Sequence, residues 1–376
     1  MMEPLMLKID LSKKSYEIEE IPREIRRKYI GGRGLGSYLL YKFVPEKADP
    51  LSEENHLIFT AGPSNGTNLH YSSKVNVNTK SPLTDIYLYS ISSGILGQKM
   101  RKAGFWAIDI KGTSRSPVYL VINNQQVRFR DAGSLWGVET AEAQRQMLEG
   151  LSVKEAATVA IGPAGEKLIT HAGVFTEGPR YRCFGRGGAG CVMGSKRLKG
   201  FMVTGSEEVE IPNKDEFEAV KREITRLLKT DLKKWADGFR RYETARDLET
   251  TNALGILPAR NWQTGQFEGW RGLDKSTTPM GWPERSRSCG PHCPTPGCRE
   301  VEIKEGPYKG AHSDVEWETI YAFGSSCGVE KMDAIIAAGQ ICGPSGFSVG
   351  KRVLYNGSKE DWSHARYRTL PLPFGY

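Results

Sequence analysis

Hydrophobic and polar positions alternate through much of the first half of the chain. Residues 5–11 and 14–21 alternate, 56–61 and 75–79 are short apolar-rich runs, and 106–111 and 118–122 are rich in β-branched and aromatic residues. Residues 127–130, 157–161 and 199–204 complete the set. Short runs of this kind, parted by turn residues, predict strands in all-β or α+β layers. Helical spacing between them predicts helices over 34–43, 94–103, 140–149 and roughly 190–198. No internal repeat of fixed period is visible.

The pattern changes after Glu210. An amphipathic stretch over 214–246 places Phe217, Val220, Ile224, Leu227, Leu228, Leu232 and Trp235 near helical spacing. A second, over 315–342, carries Ile320, Phe323, Met332, Ile335, Ile336 and Ile341. Residues 255–283 are rich in Trp, Gly and Pro, as expected of an ordered loop packed over something. The fold class predicted is α+β: a β-rich N-terminal domain of two packed sheets over 1–209, a partial helical domain over 210–342, and a divergent tail over 343–376.

Charge narrows the functional classes. Lys+Arg 52 against Asp+Glu 44 leaves +8 over 376 residues. That excess is thin and dispersed, so no nucleic-acid partner is expected; an anionic ligand or an acidic partner suits it better. No apolar run approaches the ~18 residues of a membrane span. The N-terminus meets charge too early for a signal peptide, so a soluble, cytoplasmic protein is expected. The 42 glycines exceed ordinary usage of roughly 7%. Seven cysteines in a non-secreted chain point to metal or redox chemistry, and their odd number excludes complete pairing.

Candidate chemistry lies in four places. Gly31-Gly32-Arg33-Gly34-Leu35-Gly36-Ser37 leads into an apolar helix, where backbone N–H groups suit phosphate. Ser37 stands where a dinucleotide fingerprint requires glycine, and a plain tight turn explains the run equally well. Arg182-Cys183-Phe184-Gly185-Arg186-Gly187-Gly188-Ala189-Gly190 is a richer anion cradle, but no Walker loop follows it. Between the two, Thr79-Lys80-Ser81-Pro82-Leu83-Thr84 reads as a hairpin connection able to face phosphate. Cys289, Cys293 and Cys298 form a ligand loop whose thiols select an iron–sulfur cluster or, with His292, a Cys3His zinc site. Glu316 and Glu318 open a helix, where acidic residues ordinarily serve its dipole.

Taken in order, these motifs resemble the aldehyde ferredoxin oxidoreductase family. The series includes Ile161-Gly162-Pro163-Ala164-Gly165-Glu166, Val192-Met193-Gly194-Ser195-Lys196, Asn252-Ala253-Leu254-Gly255-Ile256-Leu257-Pro258-Ala259-Arg260-Asn261-Trp262, and Glu316-Trp317-Glu318-Thr319 leading to Cys327-Gly328-Val329. The resemblance covers residues 5–342. It implies a β-rich base holding tungsten (or molybdenum) through two pterins (tungstopterin or molybdopterin), with helical domains carrying a [4Fe-4S] cluster. The activity implied is oxidation of an aldehyde to a carboxylic acid, with ferredoxin as electron acceptor. Pterin-phosphate contacts then fall on Lys74, Ser92, Ser93, Gly94, Arg182, Cys183 and Gly185, with Gly32, Arg33, Gly34 and Gly187 in the flanking glycine runs. Cys289, Cys293 and Cys298 would hold the cluster, and Glu316 or Glu318 would handle protons beside the metal.

The chain departs from the family in ways that bear on the site. Lys74 replaces a common arginine and Ser92 a common asparagine. The cysteine loop reads C-x3-C-x4-C where the family has C-x2-C-x3-C. An expected acidic Asp-x-x-Gly-Leu-Asp segment reads Gly343-Pro344-Ser345-Gly346-Phe347-Ser348. The family's C-terminal part, source of the fourth cluster cysteine, is expected from a separate partner chain or to be lacking, and a homodimer is the other assembly expected. A non-catalytic pterin-domain relic and the tungsten subunit of an aromatic acyl-CoA reductase are the alternative readings. The three glycine and serine segments 31–36, 92–94 and 182–188 are expected on one concave surface. The three cysteine sulfurs are expected to face one point, with Cys327 and Cys342 acting as small buried hydrophobes.

Overall fold

The structure, a computed structural model, describes residues 4–149, 155–177, 182–274, 288–298 and 300–342. The tail over 343–376 lies outside the described residues, as does the end of the loop expected over 255–283. Strands β1 (Leu5–Asp10), β2 (Ser15–Glu20), β3 (Leu57–Ala61), β4 (Val75–Lys80), β5 (Tyr87–Ser92) and β6 (Phe105–Lys111) form one sheet, ordered β2-β1-β6-β3-β4-β5. Strands β7 (Val118–Asn123), β8 (Gln126–Asp131), β9 (Ala157–Ala160), β10 (Val174–Thr176), β11 (Arg182–Phe184) and β12 (Leu198–Thr204) form a second, ordered β11-β10-β9-β12-β7-β8.

The two orders are the same topology, each strand of the second sheet advanced by six places. Each sheet has one parallel pair, β1 with β6 and β12 with β7, among antiparallel neighbours. The sequence shows no period because only the alternation of polarity has to recur, not residue identity.

The α+β expectation holds, and alternation explains the layers. Leu57, Phe59 and Ala61 of β3 face the second sheet, joining Val75, Val77, Phe105 and Ile108 against Leu120, Val159, Phe184 and Phe201. Phe59 meets the rings of Phe184 and Phe201 edge-on, with centroids 5.5 and 4.9 Å apart. Ile58 faces outward to Leu35, Leu39 and Leu40 of α2 (Gly32–Phe43), which follows α1 (Arg23–Tyr29). The outer face of the second sheet packs Val121 and Met202 on Met147 of α4 (Thr140–Glu149). Two short helices hold equivalent places: α3 (Leu96–Lys102) between β5 and β6, and α6 (Ala189–Ser195) between β11 and β12. The one-turn α5 (Pro163–Glu166) packs on α6, so closely that a Cβ on Gly194 would fall 1.9 Å from Gly165 O.

Strands β5, β10 and β11 were not expected from the sequence. In β5 the inward residues are Ser90 and Ser92 and the exposed ones Tyr87, Tyr89 and Ile91, an inversion of the usual pattern. The other two have only three residues each.

The expected stretch over 214–246 is broken at two places. Asn213 caps α7 (Lys214–Lys229), accepting from Glu216 N at 3.1 Å. After α8 (Lys233–Tyr242) the chain turns sharply into a 3-10 turn over Glu243–Asp247. Then come α9 (Leu248–Ala253), the hairpin β13 (Glu300–Glu302) and β14 (His312–Asp314), α10 (Trp317–Phe323) and α11 (Met332–Cys342). A left-handed Gly328 helps separate α10 from α11 (φ 70°). A second core gathers Leu248, Leu257, Phe267, Leu273, Ile320, Ile335, Ile336 and Cys342. Among the described residues, no helix is long and apolar enough to cross a membrane.

Two expectations follow. Phe59→Ala should cost about 3–5 kcal/mol in denaturant unfolding, whereas Tyr41→Ala, at a residue 91% exposed, should stay within about 0.5 kcal/mol. Lys196 is fully buried, and burial lowers its amine from 10.5 to about 8. Between those values the unfolded chain binds the extra proton, so stability should rise with pH through that window. In Lys196→Met that rise, worth up to roughly 3 kcal/mol, should vanish from pH-dependent unfolding curves.

Candidate active site and cysteine loop

The strand β5 lies at the edge of its sheet, and its alternation divides the expected site residues between its two faces. Tyr87 and Tyr89 point to α2. Arg33 donates to Tyr89 OH at 2.9 Å and lies over its ring, 4.7 Å from the centroid, while Ser37 Oγ donates to Tyr87 OH at 2.8 Å. Leu88, Ser90 and Ser92 point the other way. Ser90 Oγ donates to Gly185 O at 2.6 Å, and Ser92 Oγ bonds Thr176 Oγ1 at 3.3 Å. Thr176 Oγ1 in turn lies 3.4 Å from the carbonyls of Ser93 and Arg182.

The structure therefore brings Ser92, Ser93 and Gly94 together with the segment carrying Arg182, Cys183, Gly185 and Gly187. Gly32, Arg33 and Gly34 stand on the opposite face of β5. One surface for all three segments would need side chains of both parities of a strand to point the same way. The first glycine run is instead explained by packing: a Cβ on Gly34 would meet Tyr29 O at 2.6 Å, and one on Gly36 would meet the Asn78 side chain.

In the second run, Gly187 and Gly188 have φ of 69° and 86°, and a Cβ on Gly188 would lie 2.5 Å from Thr170 O. Only glycine suits that turn. The 79–84 connection is a hairpin turn as expected, and it also grips the loop. Ser81 Oγ donates to Gly187 O at 2.7 Å and accepts from Leu83 N and Thr84 N at 3.1 and 3.2 Å. Burial pushes the Cys183 thiol well above its ordinary range.

The cysteine loop lies against this surface. Gly290 packs on Ser73 and Gly94, where a Cβ would come 2.5 Å from Ser73 Oγ and 3.2 Å from Gly94 N. Tyr71 N donates to His292 O at 3.3 Å, and Arg240 of α8 donates twice to Pro294 O, both at 3.1 Å. The Cys289 and Cys293 thiols are hydrogen-bonded. That contact, aided by the charges of Lys74 and Arg182 and opposed by burial, lowers Cys289 to about 6 and raises Cys293. Arg182 Nη2 donates to the Cys298 Sγ, and burial pushes that thiol up to about 12.

Among the described residues, no three His, Cys, Asp or Glu side chains are gathered as a metal ion requires. The common point expected for three sulfurs is not formed, nor is the Cys3His alternative. Cys342 is buried as expected, but Cys327 is exposed on a 3-10 turn (Ser325–Cys327). The turn ends the helical stretch before that position can be covered.

Arg182 also reaches the acidic helix. Its Nη1 donates to Glu316 Oε1 at 3.2 Å, and Nη2 lies 3.9 Å from Asp314 Oδ2, with the arginine side chain 14% exposed. Burial opposes its charge, but Cys298, Glu316, Asp314 and Cys289 more than offset that and hold it protonated. Glu318 is exposed as a residue, yet desolvation of its carboxyl and then Glu316 raise it. Arg186 Nη2 donates to Tyr321 OH at 2.8 Å and gives a second link from the glycine loop to α10. Glu243, which the sequence reading passed over inside an apparent helix, lies beside Glu316.

Glycine turns on a duplicated β-layer thus meet a thiol loop and an arginine-linked acidic helix. Sequence profiles identify the family: "Aldehyde ferredoxin oxidoreductase, N-terminal domain" matches residues 6–205, and "domains 2 & 3" of the same enzyme matches 219–351. The chain belongs to the aldehyde ferredoxin oxidoreductase family. It is 37% identical over 336 residues to the tungsten-containing aldehyde ferredoxin oxidoreductase of Thermococcus kodakarensis, covering 89% of this chain and 54% of that protein. Identity to the enzyme of the same name from Pyrococcus furiosus is 34% over 336 residues, with the same coverage. The chain thus spans about half the length of these relatives. A solved structure, the active-site complex BamBC of benzoyl coenzyme A reductase, matches with a TM-score of 0.77 at 24% identity, over 92% of this chain and 53% of that one. That likeness is one of fold.

Arg182→Gln should cost roughly 2–3 kcal/mol in thermal unfolding, because Glu316 and Asp314 lose a charge-assisted donor in a part-buried place. Ser90→Ala, which removes a neutral bond to Gly185 O, should cost about 1 kcal/mol by the same measurement.

Proposed function

We propose that the chain is the cofactor-binding part of a tungsten (or molybdenum) pterin oxidoreductase. The reaction is oxidation of an aldehyde to a carboxylic acid, with electrons passing through a [4Fe-4S] cluster to ferredoxin. The observation that carries this reading is the meeting of the 92–94 segment, the Arg182 loop and the cysteine loop beside the carboxylates of α10.

The residues fit a phosphate-bearing cofactor. Arg182 Nε is buried without a hydrogen-bond partner among the described residues, a donor left for a ligand. At the Gly94–Ile95 turn the Glu177 carboxylate accepts from Ile95 N–H, so a backbone donor of this turn already faces an anion. Lys74 and Arg182 would neutralise the phosphate, and Ser92, Ser93, Gly94, Cys183, Gly185 and Gly187 would let backbone and small polar groups approach it. Gly32, Arg33 and Gly34, across β5, would act by bracing Tyr87 and Tyr89. Cys289, Cys293 and Cys298 offer the soft thiol donors that would hold the cluster.

When bound, the metal–pterin centre supplies the two-electron couple. The chain's own residues handle charge and protons. Oxidation of an aldehyde with water releases two electrons and two protons, and the carboxylates at the start of α10 would accept a proton. Glu316 is tied to Arg182 and orients it. Glu318, raised by its surroundings and free of any ion pair among the described residues, is assigned the proton transfer.

Protein produced with tungstate should contain tungsten and reduce viologen with an aldehyde, given the rest of the enzyme's length from its own or a partner chain. Glu318→Gln should lower that rate by about 10²-fold or more with tungsten content unchanged. Full activity in the variant, or no tungsten or molybdenum in the wild type, would refute the assignment.

A further inference from the structure

Arg186 is a non-glycine residue set in a glycine turn, between Gly185 and the pair Gly187-Gly188. Its φ is 63°, left-handed backbone that strains an ordinary side chain and that glycine would adopt freely. The turn is clamped on both sides of it. Ser90 Oγ donates to Gly185 O at 2.6 Å, and Ser81 Oγ donates to Gly187 O at 2.7 Å. Strain held this firmly is explained by what the arginine side chain reaches.

That side chain is exposed and extends to α10, where Nη2 donates to Tyr321 OH at 2.8 Å. Tyr321 is buried, and its ring lies against Trp317 with centroids 4.5 Å apart. The phenol oxygen accepts from the guanidinium and keeps its own proton to donate. Among the described residues that proton has no acceptor. Among the same residues Arg186 is in ion-pair contact with no carboxylate, whereas Arg182 meets both Glu316 and Asp314. Arg186 and Tyr321 are thus adjacent donors, one of them a cation, on a fixed support. Glu318 lies three residues before Tyr321 in α10, a spacing that makes the two neighbours on the helix surface.

Two donors side by side, one charged, match a carboxylate, whose two oxygens can each accept a bond. A neutral carbonyl would leave the cation uncompensated. We propose that Arg186 and Tyr321 form the seat for the carboxylate group that aldehyde oxidation produces. The seat rests on the reading of the chain as part of an aldehyde oxidoreductase, and it adds the groups that recognise the product. Negative charge develops on the oxygens of the oxidised carbon, and preorganised donors stabilise it there. One surface of α10 then carries both the proton acceptor Glu318 and the hydrogen-bond donor Tyr321.

Calorimetric titration of the cofactor-free chain with benzoate tests the seat apart from the reaction. The wild type should bind one benzoate, and bind the neutral benzamide about 10-fold more weakly or less. Arg186→Gln should weaken benzoate by about 10-fold or more, and Tyr321→Phe by about 3–10-fold, as for one charged and one neutral hydrogen bond. Arg186→Lys, which keeps the charge without the planar fork, should fall between Arg186→Gln and wild type. Arg186→Gly should lose benzoate yet melt at or above the wild-type temperature, because glycine relieves the turn. Benzoate affinity that is absent in the wild type, or unchanged in Arg186→Gln and Tyr321→Phe, overturns the proposal. Inorganic phosphate that binds the Arg186 site more tightly than benzoate also overturns it, by assigning the arginine to a phosphate group. In the loaded enzyme, Arg186→Gln should raise the inhibition constant of the carboxylate product by the factor seen for benzoate. An Arg186-dependent benzoate site on an enzyme that oxidises no aldehyde refutes the proposed reaction and sustains carboxylate recognition. Aldehyde oxidation with product inhibition untouched by Arg186→Gln refutes the seat alone.

Discussion

A guanidinium held away from water must find anions, and Arg182 finds them on segments that meet only in the folded chain. It stands on β11, donates to Cys298 in the cysteine loop and to Glu316 at the start of α10, and lies within ion-pair reach of Asp314. Each partner belongs to the helical layer, whereas the arginine belongs to the β-layer. The contact therefore sets the spacing between the glycine loop and the elements that cover it.

The duplicated sheet supplies the platform. The turn before α3 in one half and the turn before α6 in the other hold equivalent positions, and both carry glycine with positive φ: Gly94 at 107°, Gly187 at 69° and Gly188 at 86°. Two copies of one strand order thus present two strand-to-helix turns on neighbouring edges, and β5 and β11 lie side by side where they meet. Ser90 and Ser92 are buried in β5 because their partners are backbone carbonyls and a threonine of the other half, not an apolar core. Polar residues replace hydrophobic ones where the two halves meet by hydrogen bonds.

Glycine abundance has a mixed origin, which tempers its use as a ligand signal. Gly34, Gly190 and Gly194 are there because backbone passes backbone: a Cβ on Gly190 would lie 2.3 Å from Gly173 O. Gly187 and Gly188 are required by conformation. The two causes look alike in sequence and call for different substitutions, since the first kind tolerates no side chain at all and the second tolerates one only at the cost of strain.

Much of the fold was legible along the chain. Alternating runs identified nine of the strands because their buried faces are apolar, as at Leu57 and Phe59, and helical spacing located α2, α4, α7 and α11. Order along the chain was enough to point to the family, and the cysteine loop and the acidic turn were legible as chemistry. Tertiary structure decided the rest. It broke the 214–246 stretch after Lys229 and again at Glu243, neither break marked by a proline or glycine; the second lies where Thr244 Oγ1 accepts from Trp317 N. It set Arg33 on one face of β5 and Arg182 on the other, although both lie in glycine-rich runs. It turned Cys298 to an arginine and left Cys327 exposed. Alternation and composition are properties of neighbours in sequence; which charge meets which anion depends on distances between segments a hundred residues apart, and only packing determines those.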